Sequence, residues 1–194
     1  MRLFIAIDFP PKLKSEITQL IQNLLSYFPQ VNKPEKISWT KLENLHLTLK
    51  FLGYIGTNQK SKLREIKKGM EETVAEVKPF KLEFTNIGFF EKQYLVLWMG
   101  IKDSHALVNL IDKIEERMGN LGFAKEKRIS TPHISICRGK NLTPQIKKKI
   151  KSILEDQRWF KPPNAILVSE ISLMESKLTL KGPIYTSLIK FTLA

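Results

Sequence analysis

The stretch Leu45-His46-Leu47-Thr48-Leu49-Lys50-Phe51-Leu52 decides the reading of this chain. Leu45, Leu47 and Leu49 alternate with His46, Thr48 and Lys50. In a β-strand, residues two apart share a face, so the leucines pack inward while His46 and Thr48 project together from the other side. The pattern returns about half the chain later, in His133-Ile134-Ser135-Ile136. There Ile134 and Ile136 form the packing face, and His133 and Ser135 form the other. Each half thus offers one imidazole and one hydroxyl on a rigid strand, which holds reacting groups better than a loop does.

The elements around these strands repeat the division. Arg2–Asp8 reads as a strand, and Pro10-Pro11 opens a helix carrying Leu13, Ile17, Leu20, Ile21, Leu24 and Phe28 at helical spacing. Pro29 to Pro34 reads as a loop and Ile37–Thr40 as a short strand. After Gly53 and Gly56 comes a charged helix, Lys60–Val77, with a stripe of Leu63, Ile66, Met70 and Val74. Phe80–Ile87 and Tyr94–Ile101 read as strands joined by Gly88–Gln93. Asp103 or Ser104 caps a helix that runs to about Asn120. Ile129–Cys137 is a strand, Thr143-Pro144 starts a helix to about Leu154, and Ala165–Met174 and Ile184–Leu193 are the last strands. Four helices and about eight strands predict an α+β or mixed-sheet fold. A strand with His-x-hydroxyl, a basic helix and two strands occur in that order in each half, which predicts a two-lobed, pseudo-symmetric body in a single domain over 1–194.

Composition narrows the function. Thirty-two Lys+Arg against nineteen Asp+Glu give a net charge of +13 in 194 residues. Such a field attracts polyanions, with RNA, DNA, nucleotides and acidic membranes as the candidate classes. No apolar run approaches the ~20 residues of a membrane span, and Leu3–Ile7 is too short for a signal peptide. The single cysteine, Cys137, fits a reducing compartment. The chain therefore reads as cytoplasmic, without a membrane partner and, in the absence of any coiled-coil or repeat signal, as a monomer.

Two histidines suit in-line displacement at phosphorus. One takes a proton from the attacking oxygen and the other gives one to the leaving oxygen. The hydroxyls of Thr48 and Ser135 suit the non-bridging oxygens. A lone strand histidine is usually structural. Two copies of His-x-Thr/Ser in a chain with only three histidines shift that balance, and the third, His105, sits at a helix start without the pattern. Neither motif has the additional ligands of a zinc site, and no His-Glu-x-x-His, phosphate-binding Gly-x-x-x-x-Gly-Lys-Thr/Ser or Gly-x-Ser-x-Gly elbow occurs. No metal or other cofactor is expected. Cys137 reads as a core residue.

These residues resemble the two-histidine phosphoesterases and, among them, the RNA 2′,3′-cyclic phosphodiesterase family, historically called 2′-5′ RNA ligases. Four blocks carry the resemblance in order. They are Arg2-Leu3-Phe4-Ile5-Ala6-Ile7-Asp8, Trp39 with Glu43-Asn44-Leu45-His46 through Gly53, Thr131-Pro132-His133-Ile134-Ser135-Ile136-Cys137-Arg138, and Glu175–Leu178 with Gly182-Pro183-Ile184-Tyr185. The resemblance implies a bilobal α+β fold with an antiparallel sheet in each lobe, helices outside and a central cleft. It implies metal-free opening of an RNA 2′,3′-cyclic phosphate to a 2′-phosphate, with His46 as proton donor and His133 as proton acceptor, although a pseudo-symmetric site allows the labels to be exchanged. The implied partners are RNA with a 2′,3′-cyclic phosphate end, such as tRNA halves, and 2′-5′-linked RNA, since joining strands is the same chemistry with an RNA 5′-hydroxyl in place of water. It also implies Arg138 near the phosphate and Phe51 on the terminal base. Both stand at odd offsets from their histidines, so a regular strand would point them away, and a bulge or a strand end is required. Ser135 departs from the family's usual threonine but keeps the hydroxyl. A non-catalytic RNA-binding module and a phosphoesterase for small cyclic nucleotides are the competing readings.

Overall fold

A computed structural model describes residues 1–27, 37–56, 59–91, 93–125, 131–180 and 182–194, with Gln157 described by its backbone alone. Strand β1 (Arg2–Asp8) leads into helix α1 (Pro11–Ser26), which has Pro11 in its first turn and Leu13, Ile17, Leu20, Ile21 and Leu24 buried. The short β2 (Ile37–Trp39) and a 3₁₀ turn (Leu42–Asn44) precede β3 (His46–Tyr54). Helix α2 (Lys60–Val74) is followed by β4 (Phe80–Leu82), β5 (Phe84–Glu91) and β6 (Leu95–Ile101). Helix α3 (His105–Asn120) is capped by Ser104, whose side chain accepts from the Leu107 N–H. Then come β7 (His133–Gly139), α4 (Pro144–Glu155) capped by Thr143, β8 (Ile166–Val168), β9 (Glu170–Thr179) and β10 (Gly182–Thr192).

The strands form two four-stranded sheets, β10-β9-β1-β3 and β2-β7-β6-β5, with a small third sheet of β4 and β8. The pairings among them are antiparallel. The fold is α+β and bilobal, one four-stranded sheet to a lobe, with β3 of the first lobe alongside β7 of the second. Helices α2 and α3 pack together behind the first sheet, against β10 and β3 respectively. Helix α4 is ion-paired to the end of β5, where Lys147 and Lys151 reach Glu91 at 2.9 and 3.2 Å. Leu3, Ile5 and Ile7 of β1 and Leu47 of β3 are buried in the main core, while Phe4 and Ala6 face the other way with Met174.

Several elements differ from the sequence reading. The expected strand Phe80–Ile87 breaks at Glu83, because β4 pairs with β8 while β5 pairs with β6. The segment from Gly88 is not a loop, since β5 continues through Glu91. Gly88 pairs with Trp98, and a Cβ there would come within 2.2 Å of the indole, so glycine serves packing here rather than a turn. The expected strand Ala165–Met174 is two strands of different sheets separated at Ser169, and the second runs on to Thr179. Helix α2 stops at Val74, where the Glu76 and Val77 amides turn back to Thr73 and Val74. Phe28 and the Pro29 to Pro34 loop lie outside the described residues, as do Ile129 and Ser130 of the expected strand Ile129–Cys137. Among the described residues no helix is long and apolar enough to cross a membrane.

Candidate active site

On β3, His46 and Thr48 stand on one face and are half-buried, while Leu45 and Leu47 are fully buried behind them. The ring of His46 is held at both nitrogens. Nδ1 lies 2.7 Å from the carbonyl oxygen of Asn44, and Nε2 lies 2.9 Å from Thr48 Oγ1. A carbonyl can only accept, so Nδ1 carries the hydrogen and the neutral ring keeps its lone pair on Nε2. The Asn44 amide is fixed in turn by donating to the Pro183 carbonyl at 2.9 Å. Phe4 and Tyr185 flank the ring, with centroids 5.0 and 5.1 Å away.

On β7 the device recurs. His133 Nδ1 lies 2.9 Å from the carbonyl oxygen of Thr131, again the residue two before the histidine, so Nε2 again carries the lone pair of the neutral ring. Ser135 stands beside it on the same face. Phe90 meets the His133 ring edge-on at 5.1 Å, and Trp98 lies at 6.4 Å. The two motif strands are tied through Thr40, in the segment that leads from β2 to His46. Its amide donates to the Ile136 carbonyl at 2.8 Å and its hydroxyl to the Ser135 carbonyl at 2.9 Å.

The condition on Phe51 and Arg138 is met. Ala6 pairs with Thr48 and Ile5 with Lys50, so Leu49 is an extra residue in β3. Trp98 pairs with Ser135 and Leu97 with Cys137, so Ile136 is an extra residue in β7. Each is a β-bulge, which leaves two successive residues on the buried side, Leu49 and Lys50 or Ile136 and Cys137. The phase then flips. Phe51 comes to the face of His46, 6.2 Å from the same Phe4 ring, and Arg138 comes exposed to the face of His133.

Burial pushes the His46 imidazole below its ordinary range, because the charged form loses hydration. The Asn44 carbonyl and the Asp8 carboxylate oppose that shift, and Lys14 adds to it. Asp8 stands opposite His46 on β1 and holds Lys14 at 2.7 Å. Cys137 is a core residue as expected, its thiol pushed up to about 12 by burial, so it holds no thiolate near neutrality. His105 opens α3 as the sequence suggested. Among the described residues no three His, Cys, Asp or Glu side chains cluster as a metal site would need.

Residues 9–179 match the family model described as the 2′-5′ RNA ligase superfamily. The chain belongs to that superfamily. A Methanocaldococcus jannaschii protein named RNA 2′,3′-cyclic phosphodiesterase is 35% identical over 187 residues, covering 95% of this chain and 96% of its own length. Two solved structures share the fold. A Thermus thermophilus protein superposes with a TM-score of 0.76 at 21% identity, over 100% of this chain and 98% of its own. Escherichia coli LigT complexed with 3′-AMP gives 0.71 at 22%, over 99% and 97%.

In this member of the 2′-5′ RNA ligase superfamily, the structure adds neighbours that the motifs did not announce: Phe4, Tyr185, Asp8, Phe90 and Trp98. The signal for Phe4 was the alternation in β1, where it is out of phase with Leu3 and Ile5. The alternation placed Lys50 on the outward face with His46 and Thr48, and the bulge turns it inward instead. It is 1% exposed beneath the bulge and donates to Glu115 Oε2 at 2.7 Å and to the Ala124 carbonyl at 3.0 Å.

Proposed function

We propose that this protein opens RNA 2′,3′-cyclic phosphates to 2′-phosphates, without a metal, through His46 and His133. The observation that carries the reading is the duplicated device: two half-buried imidazoles, each with Nδ1–H committed to the carbonyl two residues before it, on strands that lie side by side. Each Nε2 is thereby left to exchange a proton with a ligand in the cleft, that of His46 once Thr48 Oγ1 releases it.

Water attacks phosphorus opposite the 3′ oxygen. His133 Nε2 takes the proton that water loses, the bond from phosphorus to the 3′ oxygen breaks, and protonated His46 Nε2 gives its proton to that oxygen. The phosphate stays on the 2′ oxygen, and the next water resets the pair by moving one proton from His133 to His46. Thr48 and Ser135 hydroxyls donate to the non-bridging oxygens, where charge changes during the displacement. Thr48 leaves His46 Nε2 to do so. Arg138 adds a guanidinium beside the phosphate, and Phe51 offers an exposed ring to the terminal base. The bound phosphodiester anion favours the imidazolium at His46 and so offsets the cost of its burial. The protein acts as a monomer in the cytoplasm, on ends such as those of tRNA halves or 2′-5′-linked RNA.

The test is a short RNA ending in a 2′,3′-cyclic phosphate, incubated with EDTA and followed by phosphorus NMR. A 2′-phosphate forms with the natural protein, and His46→Ala and His133→Ala each lower kcat by at least about 100-fold, the usual worth of one acid–base group. An intact cyclic end with RNA still bound would leave the binding-module reading instead.

A further inference from the structure

Both lobes present aromatic surface beside their histidine. In the first lobe Phe51 and Tyr185 gather on Phe4. In the second lobe Phe90 leans over Trp98 at 5.1 Å with 31° between the rings, and Phe90 keeps 38% of its surface exposed. Glycines shape this second surface. Trp98 lies across Gly88, where any Cβ would strike its six-membered ring, and the Cβ missing from Gly100 would come within 3.3 Å of the same ring. The indole therefore lies flat on the sheet next to Ser135, its partner across β7, instead of standing up from it. A rigid, flat aromatic pair with one open face is a stacking surface for a nucleobase.

Hydrolysis of a cyclic phosphate uses only one such surface. In-line displacement puts the leaving ribose on one side of phosphorus and the water on the other. The base of the cyclic nucleotide follows its ribose to one lobe. Whichever histidine is the base, the lobe on the water side then carries aromatic surface that water does not need. With His46 as proton donor, the water side is that of His133, Phe90 and Trp98. The position of the water oxygen is stereochemically the position of a 5′ oxygen in a 2′-5′ diester.

We propose that Phe90 and Trp98 form a second nucleobase subsite, which takes the base of a nucleoside joined to the cleft phosphate through its 5′ oxygen. The inference rests on the placement of the phosphate between the two histidines proposed above.

Two unreactive ligands test this by calorimetry. One is the 2′-5′ dinucleotide of 3′-deoxyadenosine and adenosine. The other is 3′-deoxyadenosine 2′-(methyl phosphate). Both are diesters of one negative charge, and neither has the 3′-hydroxyl that cyclisation requires. The natural protein binds the dinucleotide tighter by roughly 5- to 150-fold, the range expected for stacking one base. Phe90→Ala brings the ratio of the two Kd values close to one, and Phe90→Tyr keeps it. Equal affinities in the natural protein, or a ratio that survives in Phe90→Ala with its thermal unfolding unchanged, overturn the subsite. Hydrolysis of the short RNA ending in a 2′,3′-cyclic phosphate, measured on the same preparation, reads the catalytic proposal separately. Its absence with the affinity ratio intact sinks that proposal and leaves the subsite standing.

Discussion

At the scale of single residues, the chemistry rests on which nitrogen of each histidine is occupied. A backbone carbonyl holds Nδ1 of both rings, and backbone cannot be lost by mutation, so the tautomer is built into the strand entry itself. The rings differ in what surrounds them. His46 is depressed chiefly by burial, with Asp8 supporting its charged form and Lys14 opposing it. An NMR titration of the free protein should place His46 below the ordinary imidazole value of about 6.5. Asp8→Asn should move it lower still, and an upward move would refute the assignment. If His46 is the donor, the falling limb of kcat/KM against pH moves to lower pH with it. The linkage to stability has a fixed sign. A histidine depressed by folding binds fewer protons in the native state, so its stabilising contribution is complete above the ordinary value and is lost as pH falls through the depressed one. The histidines and hydroxyls were legible in the sequence because period-two alternation leaves them on one face. Phe90 and Trp98 were not, because an aromatic residue in a strand reads as core until its neighbours are known.

At the scale of elements, two bulges convert strands into half-sites. Without the extra residue at Leu49, Phe51 would sit on the leucine side. Without the extra residue at Ile136, Arg138 would sit in the core. The sequence carried a trace of this in the second strand, where Ile136 and Cys137 are adjacent and both apolar. It hid the first, because the second inward residue there is Lys50, and a lysine in an alternating pattern reads as exposed. The structure keeps that lysine inside by giving its ammonium Glu115 of α3 and the Ala124 carbonyl. Removing one partner of a buried pair leaves the other's desolvation uncompensated. Lys50→Ala is therefore expected to cost about 3 kcal/mol in urea unfolding, the low end for such pairs because the Glu115 side chain is 19% exposed. Lys50→Met, which fills the space without the charge, should cost less than Lys50→Ala. Equal losses would show that the ion pair, not the cavity, sets the stability. The strand breaks at Glu83 and Ser169 were illegible for a different reason, since both segments stay β-compatible throughout and only the sheet to which each part pairs changes.

At the scale of the molecule, the proposed mechanism needs two lobes to deliver two imidazoles to one phosphate. Chain order alone keeps them half a protein apart. The crossing of β2 into the second sheet ties the two motif strands to each other, since Ile37–Trp39 pairs with Cys137–Gly139, and Thr40 then grips the Ser135 and Ile136 carbonyls before the chain turns to His46. The duplication made two lobes legible, but nothing in a three-residue strand announces which sheet it joins. Charge acts at this scale too. A net charge of +13 over a surface with exposed lysines such as Lys67 and Lys68 on α2 and Lys148 and Lys149 on α4 attracts any polyphosphate chain, whereas the proposed histidine pair acts only on its end. The two contributions separate with salt. Binding that releases counterions from about three backbone phosphates weakens roughly 20-fold between 50 and 200 mM salt, because single strands lose affinity with a slope near −0.7 per phosphate. The kcat/KM for a 20-nucleotide RNA with a cyclic end should fall by about that factor, while kcat/KM for a mononucleotide cyclic phosphate falls only about 2- to 3-fold over the same range. If both fall alike, the basic surface plays no part in drawing RNA to the cleft, and the positive charge of this protein belongs to solubility rather than to substrate capture.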